Sequence, residues 1–311
     1  MEKNRNYTKE ALWPFLLASL KGISQVILIE NAVTGLIILL AISIVSIPTG
    51  IITLASSMIG TLIGKVGKAD ETIVSQGIFG YNSVLAGLAL SLLLMGSHRW
   101  SVALAGAALV AIFTAACMHL MKSFKLPVLT FPYIIMTWFL LIDSYRLTFF
   151  KLSPELAPLI LSEWSIDTAG TLEWTNGFFR SFAQVFFQED VLSGILILIG
   201  VFWAGWRFGL YAVLGAVVAI LTTLSLGGEI SLINWGLYGY NAILTIIAVG
   251  MIFDAESRFA PLTGIIAAAI SVIITASLDT WLLPFGLPVL TMPFVLTTWL
   301  FLGARKVLSG F

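Results

Sequence analysis

Charge is scarce in this 311-residue chain: Asp, Glu, Lys and Arg make up 10% of it, where an ordinary soluble domain carries about 25%. With 59% hydrophobic residues and a mean hydropathy of +1.02, the chain has too little polar surface to cover a water-soluble globule of this size. Cysteine is nearly absent. Cys117 stands alone within an apolar run, which excludes an intrachain disulfide or a thiolate metal site. His98 and His119 are the only histidines, and no cluster of His and carboxylates has metal-ligand spacing. A nucleophile–base pair is lacking too, so neither an enzyme nor a metal or other cofactor is expected. The net charge of +0 points to neither nucleic acid nor an acidic partner. Short segments of strict alternation, the mark of a transmembrane β-barrel, are missing as well.

Long apolar runs are present instead. Residues 32–48, 101–121, 191–206 and 210–226 approach or reach the roughly 20 residues that a bilayer crossing needs. The expected fold class is therefore an all-α polytopic membrane protein. Met1 to Leu20 is polar and basic before its first apolar run and lacks a small-residue cleavage pattern, so the first helix is expected to stay. Lys3, Arg5, Lys9 and Lys21 cluster at the start, and Arg305 and Lys306 lie near the end. By the positive-inside tendency both termini face the cytoplasm. Residues 151–180 hold Lys151 and Arg180 against Glu155, Glu163, Asp167 and Glu173, which suits the opposite side. That arrangement requires an odd number of crossings per half, so the halves would be inverted copies.

The copies are visible in three blocks. Gln25 to Gly35 matches Gln184 to Gly194, and Gly77-Ile-Phe-Gly-Tyr-Asn82 matches Gly236-Leu-Tyr-Gly-Tyr-Asn241. Leu126-Pro-Val-Leu-Thr-Phe-Pro-Tyr133 returns as Leu287-Pro-Val-Leu-Thr-Met-Pro-Phe294. The offsets are 159, 159 and 161 residues, so a two-residue length change precedes the last block. The expected organisation is a first membrane repeat over 1–150, a connecting loop over 151–180 and a second repeat over 181–311.

Each block carries chemistry. Proline gives no N–H to the carbonyl four residues earlier. In a helix, Pro132 would release the carbonyl of Val128, and Pro293 that of Val289. Thr130 and Thr291 add hydroxyls that both donate and accept. The plainer alternative is a helix start, with threonine as cap and proline in the first turn. Tyr81 with Leu85, and Tyr240 with Leu244, share a helical face at i, i+4, as ordinary packing or as a slot wall. Gln25 with Leu28, and Gln184 with Phe187, pair a neutral amide with an apolar side chain at the mouth of each apolar stretch. Glu30 and Glu189 are expected at a helix junction near the interface, the sharper alternative being a proton relay. Collected by symmetry, this lining is uncharged and suits a small neutral solute with several hydrogen-bonding groups.

The paired Leu-Pro-x-x-Thr-x-Pro-Phe element resembles the signature of the urea transporter family. Leu287, Pro288, Thr291, Pro293 and Phe294 fit it fully, while the first copy ends in Tyr133 instead of phenylalanine. The resemblance covers 20–150 and 181–308, and the short loops are similar to those of bacterial members. It implies an inverted repeat of two five-helix halves, each with a re-entrant half-helix, and a homotrimer with a pore in every subunit. Carried over by position, it implies a pore centre at Thr130 and Thr291. The outer slots are then Gln25, Leu28, Tyr81 and Leu85 on one side, and Gln184, Phe187, Tyr240 and Leu244 on the other. Leu28 stands where a second ring is usual.

The function so implied is passive, selective permeation of urea across the inner membrane, without cofactor or ion coupling, in contact with the lipid bilayer. Urea is flat and strongly hydrated, and stripping an amide-like group of water without replacement costs roughly 2–7 kcal/mol. A row of oxygens along a flat slot could replace that water. A pathway for small amides, ammonia or water on the same fold, and a proton-coupled urea transporter using Glu30 or Glu189, remain the alternatives.

Overall fold

The computed structural model describes residues 2–253 and 257–308. Met1 and residues 309–311, the chain ends assigned above to the cytoplasm, lie outside the described residues. The first half runs α1 (Glu2–Ser24), α2 (Ala32–Val45), α3 (Ile47–Val66), α4 (Glu71–Ser75), α5 (Gly80–Leu93), α6 (Arg99–Phe124) and α7 (Phe131–Ile142). The second half repeats that order. It runs α8 (Trp174–Ala183), α9 (Val191–Ala204), α10 (Trp206–Ser225), α11 (Ile230–Asn234), α12 (Gly239–Ile247), α13 (Ala260–Leu282) and α14 (Met292–Arg305). The chain is thus an all-α polytopic membrane protein. A small sheet pairs β1 (Leu94–Met95) with β2 (Lys151–Leu152) in antiparallel register.

The repeat is kept to the residue. Helices α2, α3 and α4 coincide with α9, α10 and α11 at an offset of 159. Helix α6 coincides at 161 with α13 plus its terminal 310 turn, Leu283–Phe285. The two extra residues fall between Ile252 and Ala260, a stretch whose counterpart is 94–98. Four described helices, α3, α6, α10 and α13, are long and apolar enough to cross a bilayer. The count rises to six if each bent pair is one span: Leu12–Ile27 with Ala32–Val45, bent by 76°, and Trp174–Phe186 with Val191–Ala204, bent by 74°.

Both bends have the same local cause. A 310 turn, Gln25–Ile27 or Gln184–Phe186, ends in a left-handed residue, Leu28 at φ 59° or Phe187 at φ 57°. The next helix then starts on a side-chain cap. Asn31 accepts from the N–H groups of Val33 and Thr34, and Asp190 accepts from that of Ser193. Such caps satisfy helix-end donors that have no partner within the helix. Glycine lets the bent arms close up: a Cβ on Gly35 would meet the Leu20 carbonyl oxygen at 1.9 Å, and one on Gly194 that of Phe179 at 2.0 Å.

Helices α2 and α9 join the halves, and the Thr34 hydroxyl donates across that seam to the Gly200 carbonyl at 2.9 Å. Leu40, Ile44, Ile112, Leu221 and Ile273 are exposed on the helices, as side chains facing lipid must be. Buried hydroxyls such as Thr53, Thr61 and Thr245 bond to the carbonyl four residues back, which keeps them satisfied without a distant partner. One local departure from symmetry is a π turn, Ala248–Ile252, at the end of α12. Arg305 serves it, donating to the carbonyls of Val249 and Phe253 at 2.8 Å each and to the Thr263 hydroxyl at 2.7 Å.

Candidate functional site

The chain is not helical through the Leu-Pro-Val-Leu-Thr element. After α6 it runs without regular structure from Leu126 to Val128, turns through left-handed Leu129 at φ 52°, and enters α7 with Pro132 in the first turn. The second copy does the same around Leu290 at φ 51° and Pro293. The carbonyls of Val128 and Val289 are therefore not the ones released by proline, because no helix precedes it there. The Val289 carbonyl accepts from the Met292 N–H at 3.2 Å. Threonine stands at the cap position but makes no side-chain cap bond. The released acceptors are instead Leu129 and Leu290. The Tyr81 hydroxyl donates to the Leu129 carbonyl at 2.6 Å and the Asn82 amide adds a bond at 3.3 Å. Tyr240 and Asn241 do the same to Leu290, at 2.6 and 3.2 Å. A left-handed leucine costs on the order of 1–3 kcal/mol and persists only where its surroundings over-determine it. Two bonds on one turned carbonyl supply that determination.

The threonine hydroxyls, freed from capping, meet each other. Thr130 Oγ1 and Thr291 Oγ1 are 2.6 Å apart, both residues buried, 161 positions apart in the chain. The two turns are also laced crosswise. The Trp138 indole N–H donates to the Pro288 carbonyl and the Trp299 indole N–H to the Pro127 carbonyl, each at 2.8 Å. The elements from the two halves thus face one another across a shared centre.

The outer residues are matched too. Gln25 Nε2 donates to the Gln76 carbonyl at 3.0 Å, and Gln184 Nε2 to the Trp235 carbonyl at 3.2 Å. Each glutamine is oriented through its nitrogen, which leaves its amide oxygen to accept. Leu28 and Phe187 are half-buried, and Tyr81 and Tyr240 are buried. A cavity of about 880 Å³ opens on the second-half side, and Gln184, Phe187, Tyr240, Val289 and Thr291 border it together with Tyr133. Gln25, Leu28, Tyr81, Val128 and Thr130 lie outside its lining. So do Leu85 and Leu244, which are fully buried. Glu30 and Glu189 are exposed, Glu189 at the border of the cavity and Glu30 in an ion pair with Lys21 at 2.7 Å. Among the described residues that border the cavity, Glu155, Glu189, Asp190 and Asp279 are acidic and none is Lys or Arg.

Several participants went unassigned in the sequence. Asn82 and Asn241 lie inside the Gly-x-x-Gly-Tyr-Asn repeat, and the sequence alone assigns them no partner. Trp138 and Trp299 obey the same 161-residue offset, and that offset was the one signal for them. Tyr133 stood out only as a departure from the repeat.

The fold thus brings uncharged polar groups from both halves together, with Tyr133 the titratable side chain bonded at the Thr130–Thr291 contact. The family model described as Urea transporter matches residues 16–306. Among curated proteins, Urea transporter 1 of Mus musculus is 24% identical over 311 residues, which span 97% of this chain and 80% of that protein. Urea transporter 1 of Rattus norvegicus is 25% identical over the same shares. Urea transporter 1 of Capra hircus is 24% identical over 288 residues, 91% of this chain and 75% of that protein.

Proposed function

The chain belongs to the urea transporter family, a family of transporters and not enzymes, and from that premise we propose that it passes urea passively through a pore of its own. The observation that carries this reading is the convergence of matched, uncharged polar groups from both halves on one centre, at the Thr130–Thr291 contact. A molecule entering the cavity meets the Gln184 amide oxygen and the faces of Phe187 and Tyr240, then Thr291. In the first half, Gln25, Leu28 and Tyr81 offer the corresponding set. These oxygens accept the N–H groups of urea as its water is removed, and unmade bonds there would cost several kcal/mol (roughly 2–7). Several weak, similar sites in series let a solute both enter and leave.

The acidic rim disfavours anions by its field and leaves a neutral solute unaffected. Glu30 and Glu189, the acids that proton coupling would use, are both exposed, Glu189 at that rim and Glu30 at the matching position of the first half. Coupling to an ion is therefore no part of the reading. The halves are inverted copies in the inner membrane, with both chain ends on the cytoplasmic side, and three such chains assemble as a homotrimer.

Purified protein in vesicles, followed by stopped-flow light scattering, tests this. Urea flux well above that of protein-free vesicles, with no pH gradient imposed, is expected. Equal flux of urea, acetamide and ammonia would remove the selectivity. Accumulation of urea against its gradient on imposing a pH gradient would replace passive flux by proton coupling.

A further inference from the structure

The two central threonines are not equivalent, and the difference lies in one hydroxyl. Tyr133 Oη is 3.2 Å from Thr291 Oγ1 and accepts the Thr291 backbone N–H at 3.3 Å. The residue matching Tyr133 in the second half is Phe294, fully buried and without a hydroxyl, so Thr130 has no such neighbour. The polar ledger of the surrounding asparagines is unequal as well. Asn241 Oδ1 accepts from the Phe294 N–H at 3.2 Å, while Asn82 Oδ1 is buried without a partner.

An oxygen–oxygen distance of 2.6 Å leaves no room for a solute between Thr130 and Thr291. Passage requires that contact to open. Once it opens, each hydroxyl loses its partner where water is scarce, and a buried hydroxyl left unmade is what makes such a step slow. Tyr133 and Thr291 border the cavity while Thr130 does not, so Tyr133 is at the point where opening begins. Taking the permeation reading as its basis, we infer that Tyr133 is a positioning residue for transport. Its hydroxyl is the standby partner of Thr291, which holds Thr291 satisfied while Thr130 turns to the passing urea. A hydroxyl has one donor and two acceptor sites, so Tyr133 can accept from both the N–H and the O–H of Thr291.

The test is urea flux through reconstituted Tyr133→Phe protein, against wild type and protein-free vesicles. Maximal flux about five- to twenty-fold below wild type is expected from the loss of one buried bond. The half-saturating urea concentration should change less than about twofold, because the Gln184–Phe187 slot is untouched. Adding Phe294→Tyr to Tyr133→Phe moves the hydroxyl to the side of Thr130 and should restore most of the flux. Wild-type flux in Tyr133→Phe overturns the inference. So does an assembled double variant that stays as slow as the single one, since that result assigns Tyr133 to packing alone. Should Tyr133→Phe fail to assemble, the threonines decide. Thr291→Val, which strands Thr130 and leaves Tyr133 only the backbone N–H at position 291, should be slower than Thr130→Val, which leaves Thr291 its tyrosine; equal rates overturn the inference. A wild-type protein without urea flux above protein-free vesicles would instead remove the permeation reading itself, and this inference with it.

Discussion

At one end of the proposed conduit, Phe187 stands beside Gln184, and the matched rim positions are Glu189, Asp190 and Asp279. At the other end the same positions are Leu28, Gln25, Glu30, Asn31 and Met118, with Glu30 paired to Lys21. The backbone beneath them is the same to the residue, including the left-handed turns at Leu28 and Phe187. The glutamine bonds, the tyrosine bonds and the crossed tryptophan bonds are all duplicated, whereas wall and rim side chains have diverged. The difference has a physical reason. A buried polar group that loses its partner pays its whole desolvation cost, about 1–3 kcal/mol, so the polar frame tolerates little change. A leucine in place of a ring still excludes water, and a rim charge lies in solvent.

The largest expected effect comes from the one place where the halves touch through both hydroxyls. Replacing Thr130 and Thr291 together by valine keeps the shape and removes both oxygens. Urea flux should fall about tenfold or more, while the protein elutes at its wild-type size, because two bonding sites vanish from the centre. Wild-type flux in the double variant would take the threonines out of the mechanism.

Next in size is the frame. Tyr81→Phe and Tyr240→Phe each leave a left-handed leucine with only its asparagine bond, and each should lower thermal stability by about 1–2 kcal/mol. Because the two bonds are equal at 2.6 Å, the two losses should agree closely. A loss confined to one tyrosine would break the claim that the polar frame is common to both ends. Wall exchange comes below that. Leu28→Phe gives the first slot the ring of the second and should change urea flux by no more than about threefold, since either side chain supplies an apolar face. A collapse of flux would show that the first slot is tuned to leucine by size.

Much of this frame is legible in the sequence. The offsets of Gln25, Tyr81 and Thr130 locate the repeat, and the shift from 159 to 161 implies a two-residue insertion that falls between Ile252 and Ala260. What escaped did so for definite causes. Leucine and phenylalanine carry no propensity for positive φ, so the turns at Leu28, Leu129, Phe187 and Leu290 have no local signature. The reading of Pro132 as releasing Val128 presumed a helix upstream, whereas residues 126–128 have no regular structure and the Leu129 carbonyl is held by long-range bonds from Tyr81 and Asn82. Trp138 reaches Pro288 across 150 residues, a pairing that no periodicity encodes. Tyr133 was visible as an exception, but its meaning depends on Thr291 being within reach of its hydroxyl.

The smallest expected effect is the sharpest test of the rim. Asp190 caps α9 through its carboxylate, and in the first half Asn31 does that work for α2 with an amide oxygen. The first half is thus a natural control for Asp190→Asn. Asparagine and aspartate rank together as caps, so stability should hold to within about 0.5 kcal/mol. One negative charge leaves the rim, yet urea has no charge for that field to act on, and its flux should stay within about twofold of wild type. Any response should appear instead in how cations distribute near that mouth at low ionic strength, where screening is weak. A large fall in urea flux with stability intact would mean that the carboxylate of Asp190 contacts the solute directly. The acidic end would then be part of the binding path, and the two ends would differ in mechanism as well as in side chains.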